Sequence, residues 1–265
     1  MKVGVFDSGL GGLTVVQAIN KFFKGAEVFY IADTLFAPYG EKSKEQILKR
    51  SLDITNYLLK RYEIEALIVA CNTATSAAIN ELRQKFEDLI VIGTEPGVKP
   101  AISKTKTKNI GVLATPATLN GEKYKDLVGR LSKDKELNVF ETACVGLVDQ
   151  IENGKIFDIN THDMLQKWLD PMKKQKVDTI VLGCTHYPLV SEVIKDIMGS
   201  NIELIETGEA IAKRLDYLCS KKGHCDKSKL KIKIFYTGKI KKDMVSMILE
   251  DWQDGGKIEI KEKNG

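Results

Sequence analysis

Two cysteines stand at matching places in the chain. Leu67-Ile68-Val69-Ala70-Cys71-Asn72-Thr73-Ala74-Thr75 and Leu182-Gly183-Cys184-Thr185-His186-Tyr187-Pro188-Leu189 each pass from an apolar run through a small residue to a cysteine, then to polar residues. Thr179 to Leu182 is a β-branched stretch of the kind that forms a parallel strand buried on both faces. Pro188 suits a first helical position, so the spacing predicts a helix directly after Cys184. A thiol at such a junction points into the crevice at the carboxyl end of the sheet and feels the positive end of a helix dipole. Both favour thiolate. Asn72 with Thr73, and Thr185 with His186, supply polar groups suited to holding a small acid between the thiols. His186, one of 3 histidines, is placed to move the Cys184 proton. Two such junctions predict two similar half-domains facing one cleft.

Three rival chemistries compete with this reading. Cys184 and His186 with Cys71 and Asp7 make a tetrahedral metal set, and Cys219, His224 and Cys225 make a second one in a lysine-rich stretch that reads as an exposed loop. Neither shows the close paired spacing of a structural zinc site, so no metal is expected. A redox dithiol is the third. Cys144 lacks polar companions and reads as core.

The elements that position these residues begin with a strand from Lys2 to Phe6, followed by the glycine-rich turn Asp7-Ser8-Gly9-Leu10-Gly11-Gly12 and a helix from Leu13. Gly9 and Gly11 match the first two glycines of a dinucleotide fingerprint, with Asp33 at the end of the next strand, Glu27 to Ile31. Asp7 argues against it, because it would aim a carboxylate at the pyrophosphate, whereas it suits an ammonium group or a thiol in need of a proton acceptor. At a strand-end turn that carboxylate is expected to be solvated. The loop Asp33 to Gly40 reads as a substrate loop in which Gly40 offers an unhindered N–H.

Ser43 to Arg61 has the periodicity of an amphipathic helix, Ala66 to Ala70 is the Cys71 strand, and Leu89 to Ile92 is another. Glu95-Pro96-Gly97 breaks the pattern and marks a domain boundary, after which a second α/β domain begins. In the second, Asn109 to Leu113 is a strand leading into the turn Ala114-Thr115-Pro116-Ala117-Thr118, and Leu137 to Phe140 is a further strand. After the Cys184 strand come a strand from Ile202 to Ile205 and a helix from Glu209 to Leu218. Lys229 to Tyr236 is strand, Lys241 to Asp251 helix, and Lys257 to Lys261 an edge strand.

Composition adds bounds. With 265 residues, 43% hydrophobic and 29% charged, the chain has enough material for a real core. The net charge of +4 comes from lysines scattered along the chain, a solvated surface rather than a nucleic-acid groove. No apolar run approaches the ~18 residues of a membrane span, and no signal peptide precedes the first strand, so a cytoplasmic protein is expected. An odd 5 cysteines fit reduced thiols.

Taken together, Phe6 to Val15, Pro38-Tyr39-Gly40, Ala70-Cys71-Asn72-Thr73-Ala74, Glu95-Pro96-Gly97 and Gly183 to Leu189 closely resemble the glutamate racemase family of the aspartate/glutamate racemase superfamily, in the family's order. The resemblance implies two α/β sandwich domains with parallel-type sheets about a pseudo-twofold axis, the first made of residues 1–97 plus 208–265 and the second of 98–207, and an active site in the cleft between them. It implies cofactor-independent interconversion of L- and D-glutamate, supplying D-glutamate for peptidoglycan. Cys71 and Cys184 would be the acid/base thiols, with Asp7 assisting Cys71, and His186 and Glu152 assisting Cys184. Asp7, Ser8, Tyr39, Gly40, Asn72, Thr73, Thr115, Thr118, Thr185 and His186 would contact substrate. The implied partner is glutamate, with no nucleic acid and no membrane, and a homodimer is left open. Glu206-Thr207 replaces the family's more usual Asp-Ser.

The chemistry explains the residue types. Inverting a carbon centre requires a base on one face and an acid on the other, and a tuned thiol serves as either. The carbanionic transition state must be held by preorganised donors rather than water. The remaining alternatives are a racemase for aspartate or for several acidic amino acids, and a non-catalytic amino-acid-binding protein on the same fold.

Overall fold

The computed structural model describes residues 1–132, 137–250, 252 and 258–262; Asp251 and Lys257, expected to end a helix and begin a strand, lie outside them. The chain forms two compact units, Met1–Thr94 with Gly208–Gly265, and Glu95–Thr207. Glu95-Pro96-Gly97 therefore goes with the second unit, not the first. The reason is local: Gly97 packs against Ile205, so closely that a Cβ on it would lie 2.5 Å from the Ile205 Cγ2.

In chain order the first unit contains β1 (Lys2–Asp7), α1 (Leu13–Phe22), β2 (Glu27–Ala32), α2 (Lys44–Tyr62), β3 (Ala66–Val69), α3 (Asn72–Lys85) and β4 (Ile90–Gly93). The second contains α4 (Val98–Lys104), β5 (Asn109–Ala114), α5 (Pro116–Asn120), α6 (Glu122–Ser132), β6 (Asn138–Ala143), α7 (Leu147–Glu152), α8 (Ile159–Lys174), β7 (Thr179–Gly183), α9 (Ser191–Met198) and β8 (Glu203–Ile205). The chain then returns to the first unit with α10 (Gly208–Lys221), β9 (Lys231–Tyr236), α11 (Lys242–Ile248) and β10 (Ile258–Glu262).

Both sheets are parallel throughout. The first has the order β10-β9-β2-β1-β3-β4 and the second β6-β5-β7-β8. A parallel sheet hides both faces, so its inner strands alternate between two apolar layers rather than between core and water. In the first unit Phe6, Phe29, Ile31, Leu67, Val69 and Val91 pack with Ile47, Ile54 and Leu58 of α2 and Ala74, Ala78 and Leu82 of α3. The intervening residues Val5, Val28, Tyr30, Ile68 and Ile232 are buried as well, and α1 packs with α10 and α11. In the second unit Ile110, Val112, Ala114, Val181 and Ile205 pack with Val98, Ala101 and Tyr124. Helix α2 starts with a capping box: the Gln46 N–H donates to the Ser43 hydroxyl at 3.3 Å and the Ser43 N–H to the Gln46 side-chain oxygen at 3.0 Å. No helix among the described residues is long and apolar enough to cross a membrane.

Candidate active site

In the first unit β1 and β3 pair in register from Val3↔Ala66 to Phe6↔Val69, so that Asp7 and Cys71 leave the carboxyl ends of neighbouring strands, one row apart. Asp7 is fully buried, which corrects the expectation of a solvated carboxylate. Its Oδ2 accepts the Gly12 N–H at 2.9 Å. The glycine turn wraps over the carboxylate, and only glycine fits: a Cβ on Gly12 would lie 2.7 Å from the Asp7 Cβ and 2.8 Å from the Tyr30 hydroxyl. That hydroxyl donates to the Gly9 carbonyl oxygen at 2.6 Å, pinning the turn from below. Ser8, half-buried, opens the turn.

Cys71 is the N-cap of α3, and its sulfur accepts the Ala74 N–H at 3.5 Å. A free N–H at the positive end of a 14-residue helix is a stabilising partner for negative charge on sulfur. Asn72 and Thr73 follow in the first turn, both buried. The Asn72 amide is buried with neither its oxygen nor its nitrogen hydrogen-bonded, an expense a protein seldom carries without a ligand to relieve it. Behind them the Val69 carbonyl oxygen accepts from both the Thr75 and Thr94 hydroxyls, at 3.0 and 2.9 Å, fixing the end of β3.

Tyr39 and Gly40 lie in a single 3-10 turn, Tyr39–Glu41. The Tyr39 hydroxyl is not free for a ligand: it donates to Asp33 Oδ2 at 2.8 Å. Sequence reasoning passed over this hub. Asp33, fully buried, also accepts from Arg50 Nε at 2.7 Å, from Arg50 Nη2, and from the Thr237 hydroxyl at 2.9 Å. It thereby ties the 33–40 loop to α2 and to the end of β9. Burial, the Asp33 charge and its hydrogen bond together push the Tyr39 hydroxyl far above the usual tyrosine range. Asp33, where the dinucleotide reading needs a ribose acceptor, is instead engaged by Tyr39, Arg50 and Thr237.

In the second unit Ala114↔Gly183 register puts Thr115 beside Cys184 at the carboxyl ends of β5 and β7. Thr115 caps α5, accepting the Thr118 N–H at 3.3 Å and donating to the Thr118 hydroxyl at 3.0 Å. Cys184 does not precede an α-helix directly, as its sequence suggested. A 3-10 turn, Tyr187–Val190, intervenes before α9, so the dipole argument holds for Cys71 and not for Cys184. What stands beside Cys184 instead is a charge relay of side chains. Its sulfur lies 3.7 Å from His186 Nδ1, and His186 Nε2 lies 2.6 Å from Glu152 Oε1. The Thr185 hydroxyl is 3.4 Å from the same Nδ1.

His186 is 2% exposed. Burial alone would lower its basicity, but hydrogen bonds to Cys184 and Glu152 and the charges on both raise it well above the ordinary histidine value. An imidazolium there donates to sulfur on one side and carboxylate on the other. Glu152, the last residue of α7, is delivered by a helix whose start is set by Gly146 at φ 83°, a left-handed conformation that favours glycine.

Each unit thus gathers its own part of the expected set: Asp7, Ser8, Tyr39, Gly40, Cys71, Asn72 and Thr73 in the first, Thr115, Thr118, Glu152, Cys184, Thr185 and His186 in the second. Among the described residues no group of three or more His, Cys, Asp or Glu side chains is placed to hold a metal. The second metal candidate is also misread in part: Cys219 is buried in α10, not exposed in a loop, and His224 Nε2 is 2.8 Å from the Lys24 carbonyl oxygen.

Known proteins bear on these half-sites. Residues 3–215 match the model of the Asp/Glu/Hydantoin racemase family. A glutamate racemase of Aliarcobacter butzleri is 63% identical over 95% of this chain and 96% of its own, and one of Sulfurovum sp. is 57% identical over the whole of both. Escherichia coli glutamate racemase, solved with L-glutamate and the activator UDP-MurNAc-ala, superimposes with a TM-score of 0.83 at 30% identity, covering 100% of this chain and 99% of that one.

Proposed function

The chain belongs to the Asp/Glu/Hydantoin racemase family, in its glutamate racemase branch, and is an enzyme of the isomerase class; we propose that it interconverts L- and D-glutamate with Cys71 and Cys184 as the two acid/base groups. The observation that carries the reading is that each strand-end thiol has its own polarising partner, an Ala74 N–H for Cys71 and the His186–Glu152 pair for Cys184. One thiolate removes the α-proton while the opposite thiol supplies one to the other face of Cα. The electron pair left at Cα is delocalised into the carboxylate and is neutralised by the incoming proton, so the thiol and thiolate states of the two cysteines exchange in each turnover. By the family resemblance Cys184 acts on L-glutamate and Cys71 on D-glutamate.

Asp7 is the group beside Cys71 that can shift a proton, and His186 with Glu152 serves Cys184. The Asn72 amide, Thr73, Thr115, Thr118, Thr185 and the backbone at Ser8 and Gly40 are the donors for the substrate's carboxylates. The reaction requires no cofactor or metal, so activity should survive exhaustive chelation. The product D-glutamate would enter peptidoglycan, and the enzyme would work in the cytoplasm.

Early-time proton NMR of L-glutamate in deuterated water tests the two-thiol mechanism. Deuterium should enter the D-enantiomer while recovered L-glutamate stays protonated, and Cys71→Ser and Cys184→Ser should each lose racemisation by orders of magnitude. Equal labelling of both enantiomers at early times, or near-normal racemisation by either variant, would refute it. A kcat/KM for aspartate matching that for glutamate would move the substrate class, since one methylene is worth only about 10–200-fold in such a pocket.

A further inference from the structure

The loop from Asp33 to Gly40 is gripped at its start by two consecutive residues from late in the chain, Thr237 and Gly238. Strand β9 lies parallel to β2 with Tyr236 opposite Ala32, so Thr237 and Asp33 leave neighbouring strand ends one row on. The Thr237 N–H donates to the Ala32 carbonyl oxygen at 3.1 Å, extending that ladder by a residue. Its hydroxyl then bridges the loop, donating to Asp33 Oδ1 at 2.9 Å and accepting the Leu35 N–H at 3.1 Å. The Gly238 N–H donates to the Thr34 hydroxyl at 3.0 Å, so Asp33, Thr34 and Leu35 are each held in turn. A side chain at 238 would collide with the loop, since its Cβ would lie 2.9 Å from the Leu35 nitrogen.

Past Asp33, burial contributes little to this stretch: Thr34 is half-buried and Leu35 is 75% exposed, so its order comes from hydrogen bonds. The grip reaches the other end of the loop through Asp33, whose Oδ2 accepts from the Tyr39 hydroxyl at 2.8 Å. Tyr39 opens the turn that carries Gly40, and that turn packs on α3, the helix capped by Cys71. Resting on the reading that the Gly40 backbone serves the substrate's carboxylates, we propose that Thr237, with Gly238, is a positioning residue for the Tyr39–Gly40 turn, holding the loop in its binding conformation before glutamate arrives. A loop that visits that conformation only part of the time weakens apparent affinity by the same fraction, whereas in the complex the loop is already in place. Loss of the grip therefore falls on KM and leaves kcat nearly alone.

Thr237→Val keeps the shape of the side chain and deletes its hydroxyl, while Arg50 and Tyr39 still donate to Asp33, so the fold should survive. Its KM for L-glutamate should rise about tenfold, the factor one hydrogen bond to a charged group is worth, with kcat within about twofold of the parent. Thr237→Ser, which restores the hydroxyl, should return KM to the parental value. Hydrogen–deuterium exchange of the peptide spanning residues 33–41, read by mass spectrometry, is independent of turnover: it should run faster in free Thr237→Val than in the free parent and match the parent at saturating glutamate. A fall in kcat at constant KM, the mark of a smaller folded fraction, or failure of Thr237→Ser to restore KM would overturn the proposal. If glutamate slows exchange of this peptide in the parent while Thr237→Val keeps parental KM and exchange, the inference alone fails and the loop's contact with substrate stands. If glutamate leaves the exchange of this peptide in the parent unchanged, the substrate role of the loop falls, and the inference with it.

Discussion

Replacing Glu152 by glutamine tests how much of the Cys184 half-site depends on charge. The carboxylate is 2.6 Å from His186 Nε2, and its side chain is 25% exposed against 2% for the imidazole. Bare attraction at that separation with an effective dielectric near 20 would be roughly 6 kcal/mol, but partial exposure screens it and the amide keeps a neutral hydrogen bond. The net loss should be near that of one charge-assisted hydrogen bond, about 2 kcal/mol. That is about 30-fold in kcat. KM should change little, because Glu152 supports the imidazolium rather than the substrate.

The pH dependence fixes the sign. Glutamine removes the charge of Glu152 and leaves a neutral hydrogen bond where a charge-assisted one stood, so only the Cys184 influences that raise His186 remain in full against burial. The variant's imidazole then loses its proton at lower pH, so the deficit should widen from pH 6 to pH 8.5. Linkage runs the same way: the folded histidine value is raised, so the pair's contribution to stability is complete below the unfolded value near 6.5 and fades as pH rises through the folded one. Circular dichroism of L-glutamate turnover, taken across this range, is the assay. A loss under about threefold at pH 8.5 would refute the reasoning, as would a loss independent of pH that tracks a fall in melting temperature.

Other substitutions separate chemistry from architecture. Asp33→Asn should cost about 3 kcal/mol in urea unfolding, because it leaves the Arg50 guanidinium partly buried without its counter-charge; a cost below about 1 kcal/mol would mean the hub is dispensable. Asp7→Asn should melt within a few degrees of the parent, since the amide oxygen can still accept the Gly12 N–H, while kcat falls by about 10²-fold; a large drop in melting temperature with full activity would make Asp7 architectural. Burial pushes the thiols of Cys144 and Cys219 from 9.0 to about 12. Because the folded values are raised, stability should hold below pH 9 and be lost as pH climbs toward 12, by on the order of 4 kcal/mol for Cys144. Urea midpoints between pH 9 and 10, below the range in which the buried tyrosines add to the loss, should fall less steeply with pH in Cys144→Ala than in the parent, and an unchanged slope would place the alkaline transition elsewhere.

What the sequence made legible was whatever local pattern dictates. Apolar β-branched runs ending in a small residue gave the strand ends at Cys71 and Cys184, and parallel sheets followed because such runs are buried on both faces. What it hid depends on partners distant in the chain. Nothing near Asp33 announces Arg50 on α2 or Thr237 beyond β9, 204 positions away, yet these bonds decide that Asp33 is architecture and that Tyr39 has no free hydroxyl. Asp7 looked solvated because a turn of glycines reads as surface, whereas glycines permit the backbone to close over a carboxylate.

The two thiols also illustrate how equal motifs diverge. Both follow a strand and precede residues that cap helices, so sequence treats them alike. At Cys71 the chain enters α3 at once, and the sulfur receives a backbone N–H whose strength does not vary with pH. At Cys184 a 3-10 turn delays the helix, and the sulfur depends on an imidazole and a carboxylate 34 residues apart, both titratable. Of the contacts made by the two sulfurs, that of Cys71 to Ala74 is a fixed backbone dipole, whereas that of Cys184 to His186 involves a movable proton. The part of the pH sensitivity of turnover that Glu152→Gln moves should accordingly be the part that originates at Cys184.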